Sequence, residues 1–219
     1  MPEQHADEAA RRGDAPPGGL RIETCTGAAL VPLVHALARL RVEVFRAWPY
    51  LYDGDAAYEA EYMRVYLDSP RAAIIVAWDG DAPVGASTCL PLADETEAVR
   101  APFVAHGIDP SRVFYFGESV LLPAYRGTGA GVAFFARREA HARSWGTFDY
   151  AAFCGVRRDP DDPRRPAGAV PLDAFWRRRG FTPVPHMTCT MHWREIGDTH
   201  ETPHTLGFWM KSLSGAALP

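Results

Sequence analysis

Hydrophobic positions in this chain switch between a period near two and a period near 3.6, and the switches mark its elements. Residues 20–25 read as a strand. Leu30, Leu33, Val34, Leu37, Leu40 and Val44 then keep helical spacing over 28–45, with Thr26 placed to cap the helix and Pro32 tolerable in its early turns. The second half of 48–66 is helical and stops at Ser69-Pro70. The runs 72–78 and 84–90, joined by Asp79-Gly80-Asp81, form a β-hairpin. Residues 93–111, carrying Pro102 and Pro110, read as an irregular connection, and 113–122 as a strong strand. A glycine-rich turn leads into a helix over 129–145 with Val132, Phe135, Ala136 and Ala140 on one face. Another strand covers 148–156, and the proline-rich, charged stretch 157–168 is a solvated loop. A helix over 171–179 is stopped by Gly180, and strands over 181–184 and 187–193 close the pattern. This order predicts an α/β (α+β) fold around a mixed sheet.

The chain has 219 residues, enough for one large domain with appendages. Residues 1–18 read as a flexible N-terminal tail. Residues 196–219 read as a C-terminal extension. Its apolar strip Leu206-Gly207-Phe208-Trp209-Met210 is expected to pack on the domain or across a homodimer, because rings of that size are seldom left in water. A formal charge of −4 offers no general attraction to nucleic acid or to an anionic membrane. No apolar run is long enough for a membrane helix, and the N-terminus lacks a signal-peptide core, so a cytoplasmic location is expected. Cys25, Cys89, Cys154 and Cys189 are too widely spaced for a zinc clip or a small disulfide framework. Lys211 is the one lysine, which argues against Schiff-base and P-loop lysine chemistry.

The segment most informative about chemistry is 116–140. Gly127, Gly129 and Gly131 alternate immediately before an apolar helix. Such a turn aims successive backbone N–H groups at one point, where the helix start adds about half a positive charge. That is an anion cradle suited to a pyrophosphate. The Rossmann fingerprint fails because Val132 stands where its third glycine belongs, and the Walker loop fails for want of a lysine.

Arg126-Gly127-Thr128-Gly129-Ala130-Gly131 resembles the R/Q-x-x-G-x-G/A signature of the GNAT superfamily of N-acetyltransferases. The likeness extends over residues 19–195. A strand and helices open the chain, the hairpin containing Val84-Gly85-Ala86-Ser87 precedes the signature, and a strand, a helix and Gly180-Phe181 follow it. The resemblance implies a mostly antiparallel sheet with two splayed strands, flanked by helices. It also implies acetyl-CoA as donor. Ser119, Val120 and Leu121 would pair with the pantetheine arm by main-chain hydrogen bonds, and Arg126, Gly127, Thr128, Gly129, Ala130 and Gly131 would hold the pyrophosphate. The acceptor would be a primary amine of a small molecule or peptide, and no metal is called for.

Acyl transfer to an amine needs a neutral nucleophile, and an amine of pKa near ~10 is about 0.1% neutral at pH 7. A base must therefore act. Glu118 on the signature strand is the candidate; strict alternation would give it a face shared with Phe116 and Val120, and its alternative role is as an ion-pair partner of an arginine. The family's usual acid is a tyrosine four residues before Gly-Phe, and here Trp176 occupies that position. This departure leaves thiolate protonation to a loop tyrosine, Cys154 or water. It also keeps open a second reading, a catalytically weak acyl-CoA-binding regulatory or interaction module. Residues 45–66 hold seven of the chain's aromatic residues among several acids. Tyr50, Tyr52 and Asp53 are the candidates for binding a cationic acceptor, whereas Glu59 and Glu61 read equally well as a solvated acidic face. His200-Glu201-Thr202-Pro203-His204 matches H-E-x-x-H in letters only, since Pro203 opposes the helix that metal binding requires.

Overall fold

The computed structural model describes residues 19–219; the expected tail 1–18 lies outside the described residues. Its strands are β1 (Arg21–Thr26), β2 (Ala73–Asp79), β3 (Ala82–Pro91), β4 (Val113–Leu121), β5 (Tyr150–Val156), β6 (Thr182–Trp193) and β7 (Thr202–Ser212). Its α-helices are α1 (Val34–Phe45), α2 (Ala56–Tyr62), α3 (Arg64–Asp68), α4 (Glu97–Ala105), α5 (Ala130–Ser144) and α6 (Asp173–Arg177). All seven strands join one sheet in the order β1-β2-β3-β4-β5-β7-β6. Every neighbouring pair is antiparallel except β4 and β5. One face carries α1 to α4 over a core that includes Leu37, Met63, Tyr66, Ile74, Val99 and Phe103. The other carries α5 over Ile75, Phe114, Phe116, Phe134 and Phe135, with Phe175 and Trp176 of α6 packed against them.

Several elements differ from the pattern reading. The helix expected over 28–45 begins as a 3-10 segment, Gly27–Leu33, and becomes α-helical at Val34; Thr26 makes no side-chain cap. The connection 93–111 contains α4, with Pro102 inside it. Val99 and Phe103, 2% and 0% exposed, form its buried stripe, and Phe103 meets Phe208 edge-on at 4.9 Å. Burial of two such side chains is worth about 1.5–3 kcal/mol each, enough to offset an interior proline at about 3 kcal/mol. On α5 the buried positions are Ala130, Phe134, Phe135, Arg138 and Ala142, while Val132, Ala136 and Ala140 are exposed. Arg138 disguises the stripe: its guanidinium lies over the rings of Phe116 (4.4 Å) and Phe135 (4.6 Å) and so fills an apolar position. The two closing strands are one strand, β6, whose register shifts between Pro183 and Thr188.

The largest difference is at the C-terminus. Residues 196–219 do not form an appendage to a domain ending at 195. They contribute β7, which lies between β5 and β6, and Leu206, Phe208, Trp209 and Met210 are all buried in the core. Among the described residues no helix is long and apolar enough to cross a membrane.

Candidate active site

The parallel pairing of β4 with β5 lasts only three residues, 113–115 against 150–152. Beyond Tyr115 the two strands diverge. β4 continues along β3 to Leu121, and β5 continues along β7 to Val156. The facing edges of 116–121 and 153–156 thus lack a strand partner, which leaves main-chain groups able to pair with an extended ligand. Tyr115 and Cys154 meet at the apex of this fork, hydroxyl to Sγ at 3.0 Å. Burial above all, and then the neighbouring Cys154, push the Tyr115 hydroxyl well above the usual tyrosine range.

At its far end β4 runs into the cradle. Leu122 is tied to Val84 of β3, and a 3-10 turn, Pro123–Tyr125, follows. The Tyr125 hydroxyl donates to Asp79 at 2.7 Å, and the Thr128 hydroxyl donates to the Tyr125 carbonyl at 2.8 Å. Gly127 and Gly129 have φ of +82° and +90°, left-handed values that glycine adopts without strain. Gly129 immediately precedes α5, whose first amides, on Ala130 and Gly131, have no intrahelical acceptor. Gly131 differs in kind. Its φ is ordinary, and a Cβ there would meet only Phe175 of α6, at 3.5 Å. The fold itself does not require glycine at 131.

Glu118 lies in a bulge. Ser87 pairs with Ser119 and Cys89 with Phe116, so Gly117 and Glu118 together oppose Thr88. The extra residue shifts the alternation: Phe116 belongs to the α5 face, whereas Glu118 and Val120 share the face of α1 to α4 with Tyr115. The expected common face of Phe116 and Glu118 is therefore corrected by one residue. Gly117 permits the bulge, since a Cβ there would fall 2.2 Å from the Tyr66 hydroxyl and 2.4 Å from Thr88 Oγ1.

Around Glu118 the helical layer supplies a charged network. Glu118 Oε2 pairs with Arg41 Nη1 at 2.8 Å and accepts the Tyr66 hydroxyl at 3.3 Å. Its amide donates to Thr88 Oγ1 at 3.2 Å. Oε1 is buried and has no hydrogen-bond partner among the described residues. Arg41 also pairs with Glu59, which accepts the Tyr52 hydroxyl at 2.5 Å. Burial opposes the charge of Arg41, yet Glu118, and also Glu59, hold its pKa above the ordinary arginine value. Glu59 is 1% exposed, so it is no part of a solvated face, whereas Glu61 is exposed and pairs with Arg64.

The aromatic loop is clamped beside this network. Trp193 Nε1 and Arg158 Nη2 both donate to the Tyr50 carbonyl, at 3.1 and 2.9 Å. The amides of Asp53 and Ile196 donate to Arg194 and Leu51, at 2.9 and 2.8 Å. Arg158 is in turn held by Glu195 at 2.5 Å. The Tyr50 ring packs on Phe45 (4.4 Å) and Trp193 (5.8 Å), and burial raises the pKa of its hydroxyl. Asp53 stands apart, paired with Arg46 and Arg194 at 3.2 and 3.1 Å near the surface. Trp176 packs edge-on against Phe153 and Trp209, at 5.0 and 5.1 Å, and its ring lies over Gly155. His204 belongs to β7, and its ring stacks on Trp193 at 3.7 Å.

A forked sheet with a glycine cradle at the start of α5 is the arrangement that the signature led us to expect. The model of the acetyltransferase (GNAT) family matches residues 36–181. The chain belongs to the GNAT family. Three solved structures illustrate the likeness. Ribosomal-protein-alanine N-acetyltransferase from Brucella melitensis aligns with TM-score 0.56 and 15% identity over 88% of this chain and 99% of that one. ElaA from Escherichia coli aligns at 0.52 and 19% identity over 88% and 99%. The yncA protein from Salmonella typhimurium, a structure with its cofactor acetyl-CoA, aligns at 0.52 and 12% identity over 91% and 97%. No curated protein matches the chain in sequence. This GNAT member is an acetyltransferase with the family's sheet.

Arg41, Tyr66, Thr88 and Tyr115 escaped the sequence reading as site residues. Two of them left a signal. Arg41 sits four residues after Leu37 on an apolar stripe, and Tyr66 continues the spacing of Glu59 and Met63. A charged residue on a buried stripe asks for a buried partner.

Proposed function

We propose that the protein transfers an acetyl group from acetyl-CoA to a primary amine of a small molecule or peptide by direct attack on the thioester. The observation that carries this reading is the carboxylate oxygen Glu118 Oε1, buried next to the β4–β5 fork and without a hydrogen-bond partner among the described residues. The fork suits the pantetheine arm, through the main chain of Ser119, Val120 and Leu121. The cradle of Arg126, Gly127, Thr128, Gly129, Ala130 and Gly131 suits the pyrophosphate.

Glu118 Oε1 takes the proton from the acceptor ammonium. The freed lone pair then forms the C–N bond, the C–S pair leaves with the thiolate, and the second N–H proton, lost as the tetrahedral intermediate collapses, replaces the one that Tyr115 gives to sulfur. Arg41, balanced by Glu59, fixes Glu118 Oε2 and so aims Oε1. Tyr50 forms part of the acceptor wall, Tyr52 steadies Glu59, and Asp53 pins the loop through Arg46 and Arg194. Because Trp176 cannot protonate the thiolate, that proton is assigned to the Tyr115 hydroxyl at the fork, which its burial keeps protonated. Support for the donor is the family itself.

Gly131→Ala tests the cradle without straining it. Relative to glycine, alanine favours the first turn of α5 by up to about 1 kcal/mol, so the melting temperature is expected to hold or rise. Acetyl-CoA affinity, measured by calorimetry, is expected to fall about tenfold or more as the methyl blocks the phosphate. Unchanged affinity would move the donor site elsewhere.

A further inference from the structure

A second carboxylate is buried in the same core layer. Glu95 ends the 3-10 turn Leu92–Asp94 that follows β3, and it is 4% exposed. Its Oε2 accepts the Thr96 amide at 2.9 Å, while its Oε1, like that of Glu118, is buried without a hydrogen-bond partner among the described residues. Its neighbours Leu92 and Val99 belong to the same core face as Tyr66 and Tyr115. Tyr62 and Tyr66 lie within electrostatic reach of both Glu95 and Glu118. Two buried carboxylate oxygens without a partner, set among tyrosines, are costly to hold: Arg41 engages only Oε2 of Glu118, and no ion pair reaches Glu95 among the described residues.

We propose that Glu95 is an acceptor-binding residue: with Glu118 it receives the ammonium group of a cationic primary amine, each carboxylate accepting one N–H through the Oε1 atom that the fold leaves open. This rests on the amine-acetylation reading above and names the charge class of its acceptor. A primary ammonium has three N–H donors, enough for both oxygens, and tyrosine rings favour a cation. A neutral alcohol of the same shape offers one donor and no charge, and is rejected.

The electrostatics agree with this geometry. Burial, with a smaller contribution from the charge of Glu118, pushes the Glu95 carboxyl up to about 7, against the opposing pull of the Thr96 amide, Arg41 and Arg100. The other titratable groups facing it are Tyr62, Tyr66 and Tyr115 and the thiols of Cys154 and Cys189. A carboxyl whose folded pKa is raised binds protons on folding. Its contribution to stability is therefore lost as pH rises from the ordinary glutamate value through about 7.

The test is Glu95→Gln alongside Glu118→Gln, with 2-phenylethylamine, 1,4-diaminobutane and an alanine-initiated tripeptide as probes and 2-phenylethanol as control. At about pH 8, Glu95→Gln is expected to raise KM for the best wild-type amine about tenfold or more, with kcat within about threefold and acetyl-CoA affinity unchanged. The KM difference is expected to shrink at about pH 6, where the wild-type carboxyl is itself protonated, and the variant is expected to melt higher than wild type at about pH 8. Glu95→Asp should recover part of the KM. An unchanged KM at about pH 8 in Glu95→Gln, with Glu118→Gln crippled, overturns the role of Glu95 and leaves the acetylation reading standing. A KM rise equal at both pH values, or a lower melting temperature with lost acetyl-CoA binding, marks a structural residue and also overturns it. Wild-type protein that binds acetyl-CoA but acetylates none of the amines overturns both readings.

Discussion

Glu118→Gln is expected to lower turnover by about 10²-fold or more while acetyl-CoA affinity barely moves, because the proposed anion cradle is built from main-chain groups of 126–131 and not from the Glu118 side chain. Glutamine keeps the shape of the side chain, and Arg41 keeps Glu59 as counter-charge, so the network is expected to stay folded. What disappears is the proton acceptor at Oε1. At neutral pH an alkylammonium is short of its reactive form by roughly 4 kcal/mol, the deficit that the base has to offset. An acceptor of lower pKa starts with a larger neutral fraction and should therefore lose less in the variant. Steady-state thiol release across amines of graded pKa measures this. Equal, small losses for all of them would reduce Glu118 to the ion-pair partner of Arg41.

Ending the chain after Ile196 is expected to abolish cooperative folding. The cut removes β7, so β5 and β6 both lose the strand between them and with it their ladder hydrogen bonds. It also removes Leu206, Phe208, Trp209 and Met210 from the core, where Phe208 packs on Phe103 and Trp209 on Phe153 and Trp176. Loss of one buried Phe or Trp side chain typically costs about 3–5 kcal/mol, and the whole stability of a domain is only about 5–15 kcal/mol. Near-ultraviolet dichroism followed through a thermal scan should show no sharp transition. A truncated protein that melts cooperatively near the full-length temperature would show that β7 is dispensable.

The elements read correctly from sequence are those whose signals are local. The hairpin of β2 and β3 carries its turn residues, β4 opens on four strand formers in a row, Val113 to Phe116, and the glycines of 127–131 announce the turn into α5. The misreadings share one cause, a distant partner that reverses a local preference. Pro102 argues against a helix until Phe103 meets Phe208, more than a hundred residues away in the chain. Arg138 obscures the stripe of α5 until the rings of Phe116 and Phe135 receive it. The strip 206–210 is visibly apolar, but periodicity cannot say that it enters the sheet between β5 and β6.

The sequence by itself determined the family, the glycine turn before α5 and the position of one carboxylate on the signature strand, because each is written in contiguous residues. Only the tertiary structure decided what that carboxylate faces. The bulge at Gly117 and Glu118 depends on Thr88 across the strand and Tyr66 from the helical layer, and it turns Glu118 away from Phe116 and toward Arg41. Glu95, separated from Glu118 by 22 intervening residues, lies in the same core layer because the turn after β3 places its neighbours Leu92 and Val99 there. Burial then changes the chemistry of Glu95, an acid ordinary in water whose carboxyl the fold pushes up to about 7.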